Sequence, residues 1–178
     1  RRSISYQGRL QRNLGDIKIA RDQIIYIAHR GNVDGPSKWE NHPDHISDAL
    51  DAGYDVEVDI RIIDGEMFLG HDKPQYPVSQ KILLSNQIWF HCKNINALQY
   101  MTDNFGSNRL NYFWHDTDDY TLTNKEFIWT APGFELTERS IMVMPELAYE
   151  DWLPYTVKAK CFGICSDYVK YIREEKTK

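Results

Sequence analysis

The fold is decided by the stretch IIYIAHRG, residues 24–31 of the 178-residue chain. Its first five residues form a short apolar run rich in isoleucine, which predicts a buried β-strand. This strand delivers His29 and Arg30 at its carboxyl end, and Gly31 then lets the chain turn. The loop that follows, residues 31–36, contains glycine and proline, which is typical of a loop that carries function on a rigid scaffold.

A second strand is predicted over residues 54–60, YDVEVDI, because acidic and apolar residues alternate there. The period of two places Asp55, Glu57 and Asp59 on one face of the strand and the apolar side chains on the other. Buried carboxylates are costly unless a metal ion or a basic group compensates for them. The face that carries Glu57 and Asp59 is therefore a candidate cation site.

A third strand, residues 67–69, follows the hairpin signal Asp64-Gly65 and leads to a second histidine, His71. Phosphodiester cleavage near neutral pH needs groups that neutralise the phosphate and groups that move protons at the reacting oxygens. Two histidines can supply the base and the acid, because the imidazole pKa lies in that range. One histidine at a strand end is more often structural, but this pair beside two acids favours metal-assisted phosphodiester chemistry.

The same residues resemble the motifs of the glycerophosphodiester phosphodiesterases and their relatives in the phosphatidylinositol-phospholipase-C-like barrel superfamily. The resemblance is dense over residues 24–72 and thin afterwards. The matching elements are His29-Arg30-Gly31, Glu40-Asn41, Glu57-x-Asp59 and His71-Asp72, with weaker late matches at Trp129-Thr130 and Ser166-Asp167.

The resemblance implies a role for each matching side chain. His29 and His71 would be the catalytic base and acid, and Glu57 and Asp59 would bind one divalent metal ion. The substrate and its phosphate would be bound by four further side chains, namely Arg30, Lys93, Glu40 and Trp129. Aromatic residues near the rim of a barrel, Trp129 among them, can stack on a sugar or glycerol, although packing in the core is the alternative for each of them.

The fourth predicted strand, residues 88–92, departs from the family pattern. Where the family usually has Glu-x-Lys, this chain has His91-Cys92-Lys93, so that the third metal ligand would be His91. The resemblance implies Mg or Ca, whereas an imidazole ligand suits Mn or Zn better, and both pairs of metals remain open. Alternatively, His91 acts on the substrate or on proton transfer, and water completes a site with two carboxylates.

The later apolar runs complete the predicted fold. Strands are expected at residues 111–114, 127–130, 140–144 and 162–165, and helices at 43–52, at 95–105 and after Asp167, which would cap the last one. An ordinary eight-stranded barrel takes about 250 residues, and the links between the late strands are too short for full crossover helices. The prediction is an α/β fold, a compact TIM-type (β/α) barrel with several outer helices shortened or missing.

Composition and charge limit the partners. The net charge of −5 and the lack of a basic block argue against a nucleic-acid partner. No apolar stretch has the length of a membrane span and no signal-peptide pattern is present, so a cytoplasmic location is expected. Residues 1–23 are predicted to be an arm or linker and residues 24–178 the barrel domain, and a further domain ahead of Arg1 is left open.

The sequence therefore predicts a metal-dependent hydrolase of a small phosphodiester, either glycerophosphodiester-like or a sugar or polyol phosphodiester. Two alternatives stay open. The same barrel could bind a phosphate ligand without turnover, as the histidine at position 91 and the shortened late barrel suggest. A related branch of the superfamily expels a cyclic phosphate from a lipid, so that a lyase reaction is the other alternative.

Overall fold

The computed structural model of the protein describes residues 24–106 and 110–178, so the arm or linker predicted for residues 1–23 lies outside the described residues. The strands are β1 (Ile25–His29), β2 (Asp55–Ile63), β3 (Glu66–Leu69), β4 (Tyr76–Pro77), β5 (Ile88–Cys92), β6 (Asn111–Phe113), β7 (Tyr120–Leu122), β8 (Ile128–Thr130), β9 (Ser140–Val143) and β10 (Gly163–Ser166). The helices are α1 (Pro43–Asp51), α2 (Gln80–Leu83), α3 (Ile95–Phe105), α4 (Trp152–Lys158) and α5 (Val169–Lys176), and a turn of 3-10 helix spans Pro145–Leu147.

All eight predicted strands are present, and β2 runs on to Ile63, beyond its predicted end at residue 60. The two longest predicted helices are confirmed as α1 and α3. Each begins at a side chain that accepts a backbone N–H: His42 caps α1 and Asn94 caps α3. Five short elements were not predicted, namely β4, β7, α2, α4 and the 3-10 turn.

Seven of the strands are parallel and lie in the order β6-β5-β2-β1-β10-β9-β8. Two antiparallel additions flank them: β3 and β4 extend from the end of β2, and β7 pairs with β8. The pairing of β1 with β10 joins distant parts of the chain, with Ile25 opposite Gly163. The carboxyl ends of β5, β2, β1 and β10 therefore lie side by side at one edge of the sheet.

The sheet is curled but it is not a closed TIM barrel, and the prediction of a barrel was wrong in this respect. Within residues 24–106 and 110–178, β6 pairs with β5 alone and no ladder joins it to β8. Asn124 bridges the gap: its backbone N–H donates to the carbonyl of Tyr112 (3.1 Å), and its Oδ1 accepts the N–H of Tyr112 (2.8 Å). The links after β6 and β8 are too short for crossover helices, which leaves five α-helices in the described part of the chain.

The two faces of the curled sheet bury different residues. The convex face of β2 and β5 packs against α1, α2 and α3 in the largest apolar cluster, and a smaller cluster lies beneath α4 and α5. On the concave face, six side chains from six parallel strands form an inner core: Ile27, Trp89, Phe113, Trp129, Ile141 and Cys165. The inner core supports the charged side chains that follow at the carboxyl ends of the strands. No helix in the described residues is both long and apolar enough to cross a bilayer.

Candidate active site and metal centre

Three neighbouring strands carry the central residues of the candidate site. In the β1–β2 ladder His29 lies opposite Glu57, and in the β2–β5 ladder Asp59 lies opposite His91. Because side chains alternate along a strand, these residues share the concave face with the inner core below them. The structure thus brings these four predicted site residues together on neighbouring strands.

A tight turn at the end of β1 connects the first histidine to the rest of the site. Arg30 and Gly31 both have positive φ values, 51° and 90°. A side chain at position 31 would also lie 2.8 Å from the ring of His45, so both backbone conformation and space require glycine there. The turn directs the backbone N–H of Arg30 at Oε2 of Glu57 (3.2 Å), which fixes one oxygen of that carboxylate.

Glu57, Asp59 and His91 form the candidate metal centre. One ligand atom from each lies within 4.8 Å of the others, and all three residues are largely buried. The Nδ1 atom of His91 is 3.4 Å from Oδ1 of Asp59 and 3.7 Å from Oε1 of Glu57. This group can hold a cation, since two carboxylates and one imidazole nitrogen converge on one point.

The two oxygens of Asp59 differ in their partners. Oδ2 accepts the amide of Asn41 (2.9 Å) and lies 2.9 Å from Nε of Arg30, whose N–H is not aligned with it. The backbone N–H of Asp59 donates in turn to Oδ1 of Asn41 (2.9 Å). Among the described residues, Oδ1 of Asp59 has no hydrogen-bond partner although it is fully buried. An unsatisfied buried carboxylate oxygen beside His91 fits a cation site.

Each charge in this group changes the pKa of its neighbours. Burial works against the charged form of His91, but the nearby carboxylates of Asp59 and Glu57 outweigh it and raise the pKa of His91 to about 9. Burial likewise opposes ionisation of Asp59, yet His91 and Arg30 hold the pKa of Asp59 well below its ordinary value. A positive charge is therefore strongly favoured between the two carboxylates, whether a proton or a metal ion supplies it.

His29 is oriented by a carboxylate from the far end of the chain. Its Nδ1 donates to Oδ1 of Asp167 (2.8 Å), and the amide of Asn32 donates to the same oxygen (2.8 Å). Burial lowers the pKa of His29, but the bond to Asp167 and the charge of Glu57 raise it by more. With Nδ1 used in this way, the basic nitrogen of the neutral ring is Nε2, which lies 3.9 Å from Glu57.

The prediction that Asp167 caps the last helix was wrong. The N-cap residue of helix α5 is Tyr168, which makes no side-chain cap hydrogen bond, and the Asp167 carboxylate bonds to His29 instead. Glu146 supports this arrangement: its Oε1 accepts the backbone N–H of Asp167 (2.9 Å), and its carboxylate accepts the hydroxyl of Ser166. Burial raises the pKa of Glu146. Met144, two residues before Glu146, has a left-handed conformation with a φ of 44°.

A cleft of about 240 Å³ opens beside the metal centre between the loop after β1 and the loop after β3. Nine residues line it: Arg30, Ser37, Lys38, Glu40, Asn41, His71, Asp72, Lys73 and Gln75. Nη1 of Arg30 donates to Glu40 (2.9 Å), so the predicted Glu40 positions the predicted Arg30. The cleft is polar and brings together three of the predicted site residues.

His71 lies at the rim of this cleft and is partly exposed. Its Nδ1 donates to Asp72 (2.7 Å), and its Nε2 is 3.4 Å from Nζ of Lys93. Arg61 fixes both segments, since its guanidinium donates to the backbone carbonyls of Gly70, His71 and Lys93. The structure therefore brings together His71, one of the two predicted catalytic histidines, and Lys93, one of the predicted phosphate ligands.

Trp129 does not lie where a substrate ligand was predicted. It is 3% exposed and its ring stacks on Phe113 (4.2 Å between ring centroids) beneath the charged layer of the site. It also contacts Trp89 across the inner core. The prediction that Trp129 binds substrate was therefore wrong, and core packing, its stated alternative, describes the position of this residue.

Five supporting residues were missed or given another role by the sequence analysis: Asn32, Arg61, His115, Glu146 and Asp167. Asp167 had a usable signal, because it lies just beyond the carboxyl end of a predicted strand, two residues after residue 165. The backbone carbonyl of His115, which accepts Nε2 of His91 (2.8 Å), had none, because a main-chain group leaves no trace in a sequence.

Comparisons of the chain with models of protein families, with curated proteins and with solved structures found no match.

Proposed function

We propose that the protein is a metal-dependent phosphodiesterase of the glycerophosphodiester phosphodiesterase type. The observation that carries the proposal is the contact between two units: His29, oriented by Asp167, stands directly beside the Glu57–Asp59–His91 group. An oriented histidine next to a cation site is the arrangement that proton transfer at a phosphate centre requires. The motif resemblance around residues 24–72 agrees with this reading and adds the substrate class.

The chain's own residues supply the proton transfers. Nε2 of His29 takes a proton from the attacking water, and the positive ring that results is stabilised by Asp167 and Glu57. The His71–Lys93 pair holds the proton that the leaving alcohol needs. Arg30, fixed by Glu40 and Asp59, faces the anionic phosphate in the cleft. A bound divalent cation would supply charge stabilisation at a phosphate oxygen.

The cleft supports a small hydrophilic alcohol on the substrate. Its lining is made of charged, amide, hydroxyl and imidazole side chains, and about 240 Å³ is enough for a glycerol or a single sugar. An acyl chain would need an apolar wall, which this lining does not provide. We therefore propose a glycerophosphodiester or a sugar or polyol phosphodiester as the substrate.

The proposal is tested with the metal-stripped chain, re-supplied separately with Mg, Ca, Mn and Zn. Hydrolysis of bis(4-nitrophenyl) phosphate and of glycerophosphodiesters is measured for the wild type and for His29→Ala, with His42→Ala as a control outside the site. We expect metal-dependent turnover that falls by about 10²- to 10⁴-fold in His29→Ala. Turnover that is equal in the wild type and His29→Ala, or absent with every ion, would reject the phosphodiesterase assignment.

The same assay separates the alternatives. Phosphorus NMR of the products distinguishes hydrolysis from a lyase reaction, because only the lyase releases a cyclic phosphate. Tight binding of a phosphate ester without its consumption would instead identify a binding module.

A further inference from the structure

We propose that the Glu57–Asp59–His91 centre selects a transition-metal dication of the Mn, Fe, Co or Zn type over Mg and Ca. The inference rests on the proposed function only for the need of a cation at this point. It goes beyond the proposed function because it names the class of metal. That class is inferred from the free ring nitrogen of His91 and from the contacts that hold the ring in place.

The ring of His91 can present only Nδ1 to a metal. Its Nε2 lies 2.8 Å from the backbone carbonyl of His115, and a carbonyl only accepts hydrogen bonds, so Nε2 carries the hydrogen. The ring also stacks on Phe113, with 5.0 Å between centroids and 16° between planes. A hydrogen bond on one ring nitrogen and a stacked face fix the tautomer and the direction of the other nitrogen, as in many metal sites.

The carboxylate oxygens that face Nδ1 are held in place in the same way. Oδ2 of Asp59 is occupied by Asn41, which leaves the fully buried Oδ1 free of hydrogen bonds within the described residues and 3.4 Å from Nδ1 of His91. Oε2 of Glu57 accepts the N–H of Arg30, which leaves Oε1 facing Nδ1 at 3.7 Å. Because metal bonds to nitrogen and oxygen are about 2.0–2.2 Å long, one ion can contact all three atoms.

This donor set decides the metal class. Mg and Ca prefer sites made of oxygen atoms alone, whereas an imidazole nitrogen suits Zn, Fe, Co and Mn. The carbonyl bond from Nε2 to His115 makes the ring a better donor at Nδ1. A carboxylate at position 91 would give an all-oxygen site on the same backbone, so a single side chain determines the preference.

Metal binding by the chelator-stripped chain tests the inference without any assay of turnover. Calorimetric titrations with Zn, Mn, Mg and Ca and the visible absorption of added Co(II) are measured at one pH. We expect one equivalent of Zn or Co, bound at least about 100-fold more tightly than Mg or Ca, with a Co(II) spectrum altered from that of the aqueous ion. Mg or Ca bound as tightly as Zn, or no ion bound at all, would overturn the inference.

Variants sharpen the result. His91→Glu should weaken Zn binding by at least about tenfold and strengthen Mg or Ca binding, while His42→Gln, which changes a histidine outside the site, should leave both unchanged. The wild-type titrations alone decide the question if His91→Glu fails to fold. Zn binding without phosphodiester turnover would leave this inference standing and reject the proposed function. Turnover supported best by Mg would do the reverse.

Discussion

Two parts of the one sheet carry different kinds of side chain on its concave face. We call them the early sheet (β1, β2 and β5) and the late sheet (β6, β8 and β9). The early strands present carboxylates and histidines, and behind them the largest apolar cluster packs against three helices. The late strands are three or four residues long and present aromatic and aliphatic side chains. Beside the late strands, the flanking strand β7 leaves Tyr120 and Leu122 exposed.

The difference shows where a chain can place buried charge. Each buried carboxylate needs partners held at fixed positions, and a strand paired on both sides and covered by helices provides them. Strand β2 is paired with β1 and β5 and is covered by α1 and α3. Among the late strands in the described part of the chain, β6 is paired on one side only, and no helix directly follows β6 or β8 to cover the strands, which contribute packing. The comparison predicts that substitutions in the early sheet change chemistry and that those in the late sheet change stability.

The largest expected effect separates two acids on the same face of β2. Asp59→Asn removes the unpartnered oxygen of the metal centre and should lower turnover by at least about 10²- to 10³-fold, together with metal affinity. Asp55→Asn is the matched control, since Asp55 lies at the other end of that face, bonded to Nε1 of Trp89 (2.9 Å). It should leave kcat/KM within about threefold. A comparable loss in both variants would mean that Asp59 acts through the fold and not at the metal.

The next effect concerns the contribution of β10 to the early sheet. Asp167→Asn removes the charge that orients His29 and should reduce kcat by about 10- to 100-fold. It should also lower the kinetic pKa assigned to His29, because the bond to Asp167 helps to raise it. A pH–rate profile of the variant measures both quantities. An unchanged profile at reduced kcat would show that Asp167 only supports the local structure.

The stability of the metal-free protein should depend on His91. Its pKa is raised to about 9 from an ordinary 6.5, so the stabilisation is fully present below pH 6.5 and is lost as the pH rises to 9. The loss should be about 3 kcal/mol in the presence of chelator. Urea unfolding of the wild type and His91→Gln over this range isolates the effect, since the variant should lose about that much less. If the free energies of unfolding of the two proteins changed with pH in parallel, the raised pKa of His91 would be contradicted.

A smaller effect is expected at the open seam of the late sheet. Asn124→Ala removes the side-chain bonds to the backbone of Tyr112, Gly106 and Leu110 and should destabilise the protein by about 2–3 kcal/mol. Turnover at a temperature where the variant is folded should change less than about twofold. Asn104→Ala, at an exposed asparagine on α3, is the control and should cost under about 1 kcal/mol. If Asn124→Ala lost much of its activity while its stability was unchanged, the seam would contribute to the site directly.

The smallest effect tests the corrected position of Trp129. Trp129→Phe keeps an aromatic ring in the inner core and should cost about 1–2 kcal/mol without a change in KM. Thermal unfolding and substrate titration measure the two quantities. An increase in KM at unchanged stability would restore Trp129 as a substrate ligand.

The local sequence pattern was enough to predict an element where that element was long and regular. The alternation over residues 54–60 located β2 and the acids that share its face, and the apolar spacing of residues 95–105 located α3. Helix α4 was not predicted; it contains Pro154, but this proline lies in the first turn, where no intrahelical N–H bond is lost. Strand β7 spans three residues beside an acidic loop, which is too short to show a period.

The site was predictable only in part, for a related reason. Glu57, Asp59 and His91 meet because their strands are neighbours, and the order of the early strands followed from the chain. The bond from Asp167 to His29 depends on β10 lying next to β1, which no local pattern states. The open seam between β6 and β8 depends on how far the sheet curls, and that is set by packing of the inner core as a whole.

The pairing of β1 with β10 also sets when the site can form. Tyr112 and Asn124 are separated by 12 residues, so the seam closes through a short loop at little cost in chain entropy. His29 and Asp167 are separated by 138 residues, and contacts of such long range form slowly. A growing chain that has not reached residue 167 has the candidate metal ligands but no carboxylate to orient His29. Proton-transfer competence is therefore expected to be acquired last, when the two ends of the described chain meet.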